Sequence, residues 1–144
     1  MTVRGLYGPD DFGGREPMDP QGRAAIVTGG AGGLGGATVR HLAEVGYGVV
    51  VFDRHAERAE ALATELGDNA RFATGDVNDD DAVAGAIAAA GELGTLSLVV
   101  NVAGGGVGGG RTVGRDGTPH DKASFTGTME MNAFGTFNVS RLAA

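Results

Sequence analysis

Glycines crowd the segment IVTGGAGGLGG at residues 26–36, where a short apolar run leads into a helix-like stretch. Gly29 permits a sharp exit from a strand, Gly33 lets a pyrophosphate approach the backbone, and Gly35 lets the helix pack closely on the sheet. The free N–H groups at the start of that helix attract phosphate. The turn therefore predicts a dinucleotide-binding site, with a flexible loop that binds nothing as the alternative. Its candidate binding residues are Gly29, Gly32, Gly33, Leu34 and Gly35.

Asp53 ends the next apolar run, GVVVFD at residues 48–53. A carboxylate at this distance past a glycine turn can accept hydrogen bonds from the adenosine ribose hydroxyls, and it would repel the 2′-phosphate of NADP. NAD is therefore the predicted cofactor and NADP the less favoured one, although the neighbouring cation Arg54 could soften this preference. Asp53 could also be the N-cap of a helix at AERAEAL, and the two roles are compatible.

The elements that position these residues follow from apolar patterning. The candidate strands are continuous apolar runs, and stretches with helical spacing separate them. This pattern is typical of an α/β fold with a parallel sheet covered by helices on both faces. Right-handed crossovers predict the strand order 3-2-1-4, half of a doubly wound Rossmann-type fold. The predicted strands are 24–28, 48–53, a strand within 71–77, and 96–101.

Apolar residues at helical spacing predict four helices. Asp79–Asp81 is expected to begin the third helix, and Ser124 is expected to cap the last one. Three histidines show no paired metal-ligand spacing and are interpreted as structural or solvated: His41, His55 and His120. The predicted apolar faces are Leu34, Thr38, Leu42 and Val45 in the first helix, Ala59, Leu62 and Leu66 in the second, Val83, Ile87 and Ala90 in the third, and Phe125, Met129, Ala133 and Phe137 in the last.

The composition of the chain limits which ligands, partners and locations are expected. The 144 residues suit one domain, carry a net charge of −7 and include no cysteine. An acidic chain without a basic stripe is not expected to bind nucleic acid, and no Cys-based metal site can form. No apolar run approaches the roughly 20 residues that span a bilayer, so no membrane association and a cytoplasmic location are expected. Residues 1–22, rich in Pro and Gly, are predicted to be a flexible extension before a domain at 23–144.

Five motifs together resemble the short-chain dehydrogenase/reductase family. They are TGGAGGLG (28–35), FDR (52–54), GDV (75–77), NVAG (101–104) and MNAFGTFNVSRLAA (131–144). The resemblance implies an NAD-binding Rossmann domain in which Asp76 and Val77 contact the adenine. It also assigns to the cofactor site three residues of NVAG, in which Val102 departs from the family's NNAG: Asn101, Ala103 and Gly104.

The same resemblance implies hydride transfer between NAD and a hydroxyl or ketone substrate. The family uses a Ser, a Tyr and a Lys, the last two as YxxxK, together with an asparagine that matches Asn132. The sequence contains no YxxxK, and its only lysine, Lys122, precedes Asn132. We therefore expect the cofactor-binding part of an enzyme, incomplete on its C-terminal side and inactive if the chain ends at residue 144. The alternatives are a non-catalytic nucleotide-binding or protein-interaction fragment, and an Asn132 that is only a polar helix residue.

Within the family, the insertion RTVGRDGTPHDKASF and the stretch GTFNVSRLAA resemble enzymes that oxidise 3-hydroxyacyl-CoA. This likeness implies a small-molecule substrate, with an acyl-CoA as the candidate. In the family the last helix packs across a subunit interface, so a homo-oligomer is expected through that helix or through the exposed edge of the fourth strand. The glycine-rich stretch at 104–110 is expected to be a mobile lid.

Overall fold

A four-stranded parallel sheet forms the centre of the molecule in the computed structural model, which describes residues 18–108 and 110–144. The strand order is β3-β2-β1-β4, so the predicted order 3-2-1-4 is confirmed. The extension expected over residues 1–22 lies outside the described residues as far as residue 17. The strands are β1 (Arg23–Thr28), β2 (Gly48–Asp53), β3 (Ala70–Thr74) and β4 (Thr95–Asn101).

Helices cover both faces of this sheet. No helix in the described part of the chain is long and apolar enough to cross a membrane. The helical elements are α1 (Gly33–Glu44), α2 (Ala56–Leu66), a 3₁₀ turn (Gly67–Asn69), α3 (Asp80–Leu93), α4 (Lys122–Met129), a π-helical turn (Glu130–Phe134) and α5 (Gly135–Ala143).

Two apolar layers, one on each face of the sheet, explain the continuous hydrophobic runs of β1 and β2. Alternate residues of each strand point to opposite faces. Val27 and Val51 belong to the layer under α1 and α2, whereas Ile26, Val50 and Phe52 belong to the layer under α3 and α5. Both central strands are therefore buried on both sides, as the sequence pattern predicted.

Helix α1 buries a different face from the one expected. Its buried residues are Gly35, Gly36 and Val39, while the side chain of Leu34 is 80% exposed. The glycines carry no side chains, so this side of the helix approaches the sheet most closely. Apolar spacing misidentified the face because it counts side chains, whereas close packing here depends on their absence.

The expectations for the last helix were wrong in two respects. Asp121, not Ser124, caps α4: its carboxylate accepts a hydrogen bond from the Ser124 N–H at 2.8 Å. Phe125 and Phe137 are exposed rather than packed on the sheet. The π-helical turn between α4 and α5 adds a residue to one turn and changes the helical phase, so a single face cannot be extended from Phe125 to Phe137.

The predicted N-cap is confirmed for α3 and wrong for α2. Asp79 caps α3, as predicted, because its carboxylate accepts hydrogen bonds from the N–H groups of Asp81 and Ala82. The N-cap of α2 is His55, which makes no side-chain cap, so the interpretation of Asp53 as that N-cap is wrong. The Asp53 carboxylate instead accepts hydrogen bonds from Ala31 and His55, which are described with the site below.

Candidate functional site

The carboxyl ends of the strands converge at the place where the strand order reverses. From β1 the chain proceeds to β2 on one side, and from β3 it crosses over to β4 on the other. In open α/β sheets a crevice opens at such a switch point and binds ligands. Here Gly29 leaves β1 with φ of 63°, and a Cβ on it would lie 2.9 Å from the Cα of Ala103. Only glycine fits this crossing between the ends of β1 and β4.

The glycine turn leaves the start of α1 open. Gly32 is the N-cap and contributes no capping side chain, so the first N–H groups of α1 have no side-chain partner among residues 18–108 and 110–144. A Cβ on Gly33 would meet no atom of the described residues within 4 Å, whereas a Cβ on Gly35 would overlap the carbonyl oxygen of Gly29. Gly35 therefore serves packing, and Gly33 leaves space in front of N–H donors that no described side chain caps, which suits an anionic group.

Thr28 fixes the two chain segments that border this crevice. It is fully buried, and its Oγ1 accepts hydrogen bonds from the N–H groups of Val102 and Ala103, each at 3.1 Å. The end of β1 is thereby joined to the segment that follows β4. Apolar patterning does not predict this role, although a hydroxyl residue directly before a glycine turn was a signal for it.

Asp53 is held at the opposite side of the turn. Its Oδ2 accepts a hydrogen bond from the Ala31 N–H and its Oδ1 accepts one from the His55 N–H, both at 3.0 Å. The His55 Nδ1 is also 3.0 Å from Oδ1, and the Asp53 side chain is only 10% exposed. Burial raises the pKa of the Asp53 carboxyl, but the hydrogen bonds from His55 and Ala31 together lower this pKa below its ordinary value. The carboxylate is thus ionised and fixed in orientation at neutral pH.

A cavity of about 410 Å³ connects the glycine turn with Asp53. Arg54 lies on its rim, with one guanidinium nitrogen 4.0 Å from the Asp76 carboxylate. Eight of the predicted binding residues line the cavity: Gly29, Gly32, Asp53, Arg54, Asp76, Val77, Ala103 and Gly104. It is also lined by residues that the sequence analysis did not assign to the site, among them Ala31, His55, Arg58, Asn78, Glu130 and Met131.

The far wall of the cavity is hydrogen-bonded to the last helical segment, which consists of α4, the π-helical turn and α5. Asn138 of α5 donates a hydrogen bond to the Val77 carbonyl at 2.9 Å, and Asn78 donates one to the Glu130 carbonyl at 3.2 Å. The loop after β3 is therefore positioned by α5 and the π-helical turn. Sequence patterning could not reveal these contacts, because they join residues more than fifty positions apart.

Asn132 lies outside the lining of the cavity and holds one of its borders. Its Nδ2 donates to the carbonyls of Gly105 and Thr128, and its Oδ1 accepts a hydrogen bond from the Gly105 N–H at 3.1 Å. The Val107 N–H donates to the Thr128 Oγ1 at 3.0 Å. The segment expected to be a lid is therefore attached to α4 and the π-helical turn at residues 105 and 107.

Four other predicted residues also lie outside the cavity lining. Asn101 points toward α5, where its Nδ2 is 3.4 Å from the Ser140 Oγ, and its buried Oδ1 has no partner in the described residues. Leu34 is largely exposed to solvent, and Gly35 is buried beneath the turn. The space beside Gly33 is open.

A parallel sheet with a glycine turn at its switch point and an acidic residue after the second strand defines a Rossmann-type dinucleotide-binding domain. The sequence model of the short chain dehydrogenase family matches residues 23–144, so the chain belongs to that family. The expected membership, inferred from five motifs, is confirmed.

The chain is similar to human 3-hydroxyacyl-CoA dehydrogenase type-2, with 38% identity over 125 residues that cover 86% of this chain and 48% of the human protein. It also resembles the crystal structure of 3-hydroxyacyl-CoA dehydrogenase type-2 from Mycobacterium avium, with 49% identity, a TM-score of 0.81 and coverage of 85% of this chain and 47% of that one.

A third similar protein is 3-ketoacyl-(acyl-carrier-protein) reductase from Brucella melitensis, solved in complex with NADH. It shows 26% identity and a TM-score of 0.69, and the match covers 84% of this chain and 48% of that chain. The chain thus spans about half the length of the relatives it matches.

Proposed function

We propose that this chain binds NAD in the cavity between the glycine turn and Asp53, as the cofactor-binding part of a dehydrogenase. The observation that carries the proposal is the Asp53 carboxylate, which is ionised, nearly buried and fixed by hydrogen bonds from both sides of the cavity rim. A fixed carboxylate at the end of the second strand suits the two ribose hydroxyls of NAD and disfavours the additional phosphate of NADP.

In this proposal, different residues around the cavity contact different parts of the cofactor. The first N–H groups of α1, beside Gly33, would hold the pyrophosphate, and Asp53 would hold the adenosine ribose. Asp76 and Val77 would border the adenine. The segment from Ala103, held in place by Thr28, would lie beside the nicotinamide, which accepts or supplies the hydride when the cofactor is bound.

For the reaction, we propose hydride transfer between NAD and the hydroxyl or ketone of a small molecule, with a 3-hydroxyacyl-CoA as the candidate substrate. The similarity to the human and Mycobacterium avium proteins supports this substrate class. The 144 residues contain no YxxxK. We therefore propose that this chain alone binds NAD without turnover, and that Asn132 positions the loop at Gly105 beside the reaction site rather than exchanging a proton itself.

Calorimetric titration of NAD and NADP into the wild-type protein and Asp53→Ala tests the proposal. We expect NAD to bind the wild type more tightly than NADP, and the substitution to weaken NAD by about tenfold, because one or more hydrogen bonds to a charged acceptor are lost. NADP should lose less, since the repulsion of its phosphate is also removed. Asp68→Ala is the control: it changes the net charge equally, at an exposed position outside the cavity lining.

Two results would count against the proposal. Failure of the wild-type protein to bind NAD at millimolar concentration would exclude the proposed function. Equal losses for NAD and NADP in Asp53→Ala would mean that Asp53 does not contact the ribose.

We also propose that the protein associates with itself through the last helical segment. Four large apolar side chains of this segment are exposed, the most exposed being Phe137 at 65%. Burying them against a second copy would be favourable. Light scattering at increasing protein concentration should show a dimer or larger species, and a monomer at every concentration would refute this. The four side chains are Phe125, Met129, Phe134 and Phe137.

A further inference from the structure

The imidazole of His55 contacts the carboxylate of Asp53, the group that is proposed to bind the ribose. Its Nδ1 lies 3.0 Å from the Asp53 Oδ1, and both residues line the cavity. An ionised carboxylate only accepts hydrogen bonds, so the ring nitrogen in this contact carries the proton. His55 is therefore a hydrogen-bond donor to Asp53 from within the chain.

The acceptor positions of Asp53 are nearly all occupied in this arrangement. A carboxylate offers about four lone-pair positions, two on each oxygen. The His55 N–H and ring fill both positions on Oδ1, and the Ala31 N–H fills one on Oδ2. One position is left, whereas the adenosine ribose presents two hydroxyl groups. Binding of both hydroxyls thus requires one of the three present donors to leave.

The imidazole is the donor that can leave. The N–H groups of Ala31 and His55 belong to the backbone of the glycine turn and of the start of α2, so their removal would unfold the site. The His55 side chain is 63% exposed and makes no capping contact in α2, so its ring can rotate into solvent. Side-chain rotations of this kind are common on binding.

We propose that His55 is a displaceable occupant of the ribose position, whose ring competes with the adenosine ribose for Oδ1 of Asp53. This inference rests on the proposed binding of NAD and specifies how the ribose is received. The ring keeps the carboxylate hydrogen-bonded while the cavity is empty, and its displacement lowers the net affinity for NAD. Its removal should therefore strengthen binding, which is the opposite of what the loss of an ordinary binding residue does.

Three substitutions separate this role from a structural one. His55→Ala removes both ring and donor, His55→Phe keeps a ring without the donor, and His55→Asn keeps a side-chain N–H at a similar distance from the backbone. We expect His55→Ala and His55→Phe to bind NAD about threefold to tenfold more tightly than the wild type, the range set by one partly exposed hydrogen bond to a charged group. His55→Asn should bind within about twofold of the wild type, since it retains the competing donor.

An NAD analogue whose adenosine ribose lacks both hydroxyls provides the decisive comparison. The gain in affinity should disappear with this analogue, because nothing then competes for Oδ1. Weaker or unchanged NAD binding by His55→Ala, or a gain that persists with the analogue, would overturn the inference while leaving the proposed function intact. Absence of NAD binding by the wild type and all three variants would instead refute the proposed function, and the inference with it. Thermal denaturation of each variant verifies that it is folded.

Discussion

Alanine at Gly35 and alanine at Gly33 should have opposite consequences, although the two glycines are separated by one residue of the same helix. Gly35 is buried, and its added methyl group would overlap the carbonyl oxygen of Gly29. The obstacle is backbone, and it has little room to retreat, because the chain is already close on that side: a Cβ built on Gly29 would lie 2.9 Å from the Cα of Ala103. Overpacking of this kind costs about 1–3 kcal/mol or more, and the rigid surroundings favour the upper end.

The intrinsic preference of helices for alanine offsets part of this cost. The gain is at most about 1 kcal/mol for Gly→Ala inside a helix and smaller in the first turn. We therefore expect Gly35→Ala to lower the free energy of unfolding by about 2–3 kcal/mol. Gly33→Ala should leave stability unchanged or raise it by up to about 1 kcal/mol, since its methyl group meets nothing within 4 Å.

For NAD affinity we expect the opposite order, with the larger effect from Gly33→Ala and the smaller one from Gly35→Ala. The methyl group of Gly33→Ala stands in the space proposed for the pyrophosphate, so NAD affinity should fall by about tenfold or more while the protein stays folded. Urea denaturation followed by circular dichroism measures stability, and titration calorimetry measures binding. A Gly35→Ala protein as stable as the wild type would refute the packing argument. A Gly33→Ala protein with unchanged NAD affinity would refute the assignment of the phosphate site.

Two further predictions concern the polar groups of the site. Thr28→Val should cost about 2 kcal/mol in urea denaturation, because two partly buried N–H groups, those of Val102 and Ala103, lose their acceptor. Thr28→Ser, which keeps the oxygen, should cost less than about 1 kcal/mol, and a loss as large as that of Thr28→Val would contradict the role assigned to the hydroxyl. The pKa of Asp53 is lower in the folded state than its ordinary value of about 3.9, so the ionised carboxylate contributes stability above about pH 4 and loses this contribution as the pH falls through the folded-state pKa. The deficit of Asp53→Asn relative to the wild type should therefore shrink below about pH 4, and a constant deficit would contradict the hydrogen-bond assignment.

The sheet was predictable because its determinants are local. Each strand is a short apolar run between helical stretches, and the handedness of the crossovers then limits the order to 3-2-1-4. The helix faces were harder to predict. The inward face of α1 consists largely of glycine, and the π-helical turn at Glu130–Phe134 interrupts the period that connects Phe125 with Phe137. Neither feature produces a regular spacing of apolar residues.

Part of the candidate site was predictable for the same reason. The glycine turn directly follows β1 and Asp53 is the last residue of β2, so strand ends located them, and the parallel order placed them at one edge. Asn101 also ends a strand, yet it points toward α5 and away from the cavity. The direction of a side chain at a strand end depends on the packing around it, which no local pattern encodes.

The fold class, the strand order and the family were predictable from the amino-acid sequence, because apolar runs, turn glycines and short motifs are properties of neighbouring residues. Three contacts became visible only in the folded chain: Thr28 joins β1 to the segment after β4, Asn132 holds Gly105, and His55 contacts the carboxylate of Asp53. The first two contacts join residues distant in the chain, and the third depends on a side-chain rotation. Such contacts are fixed by packing in three dimensions, which determines which donors reach which acceptors.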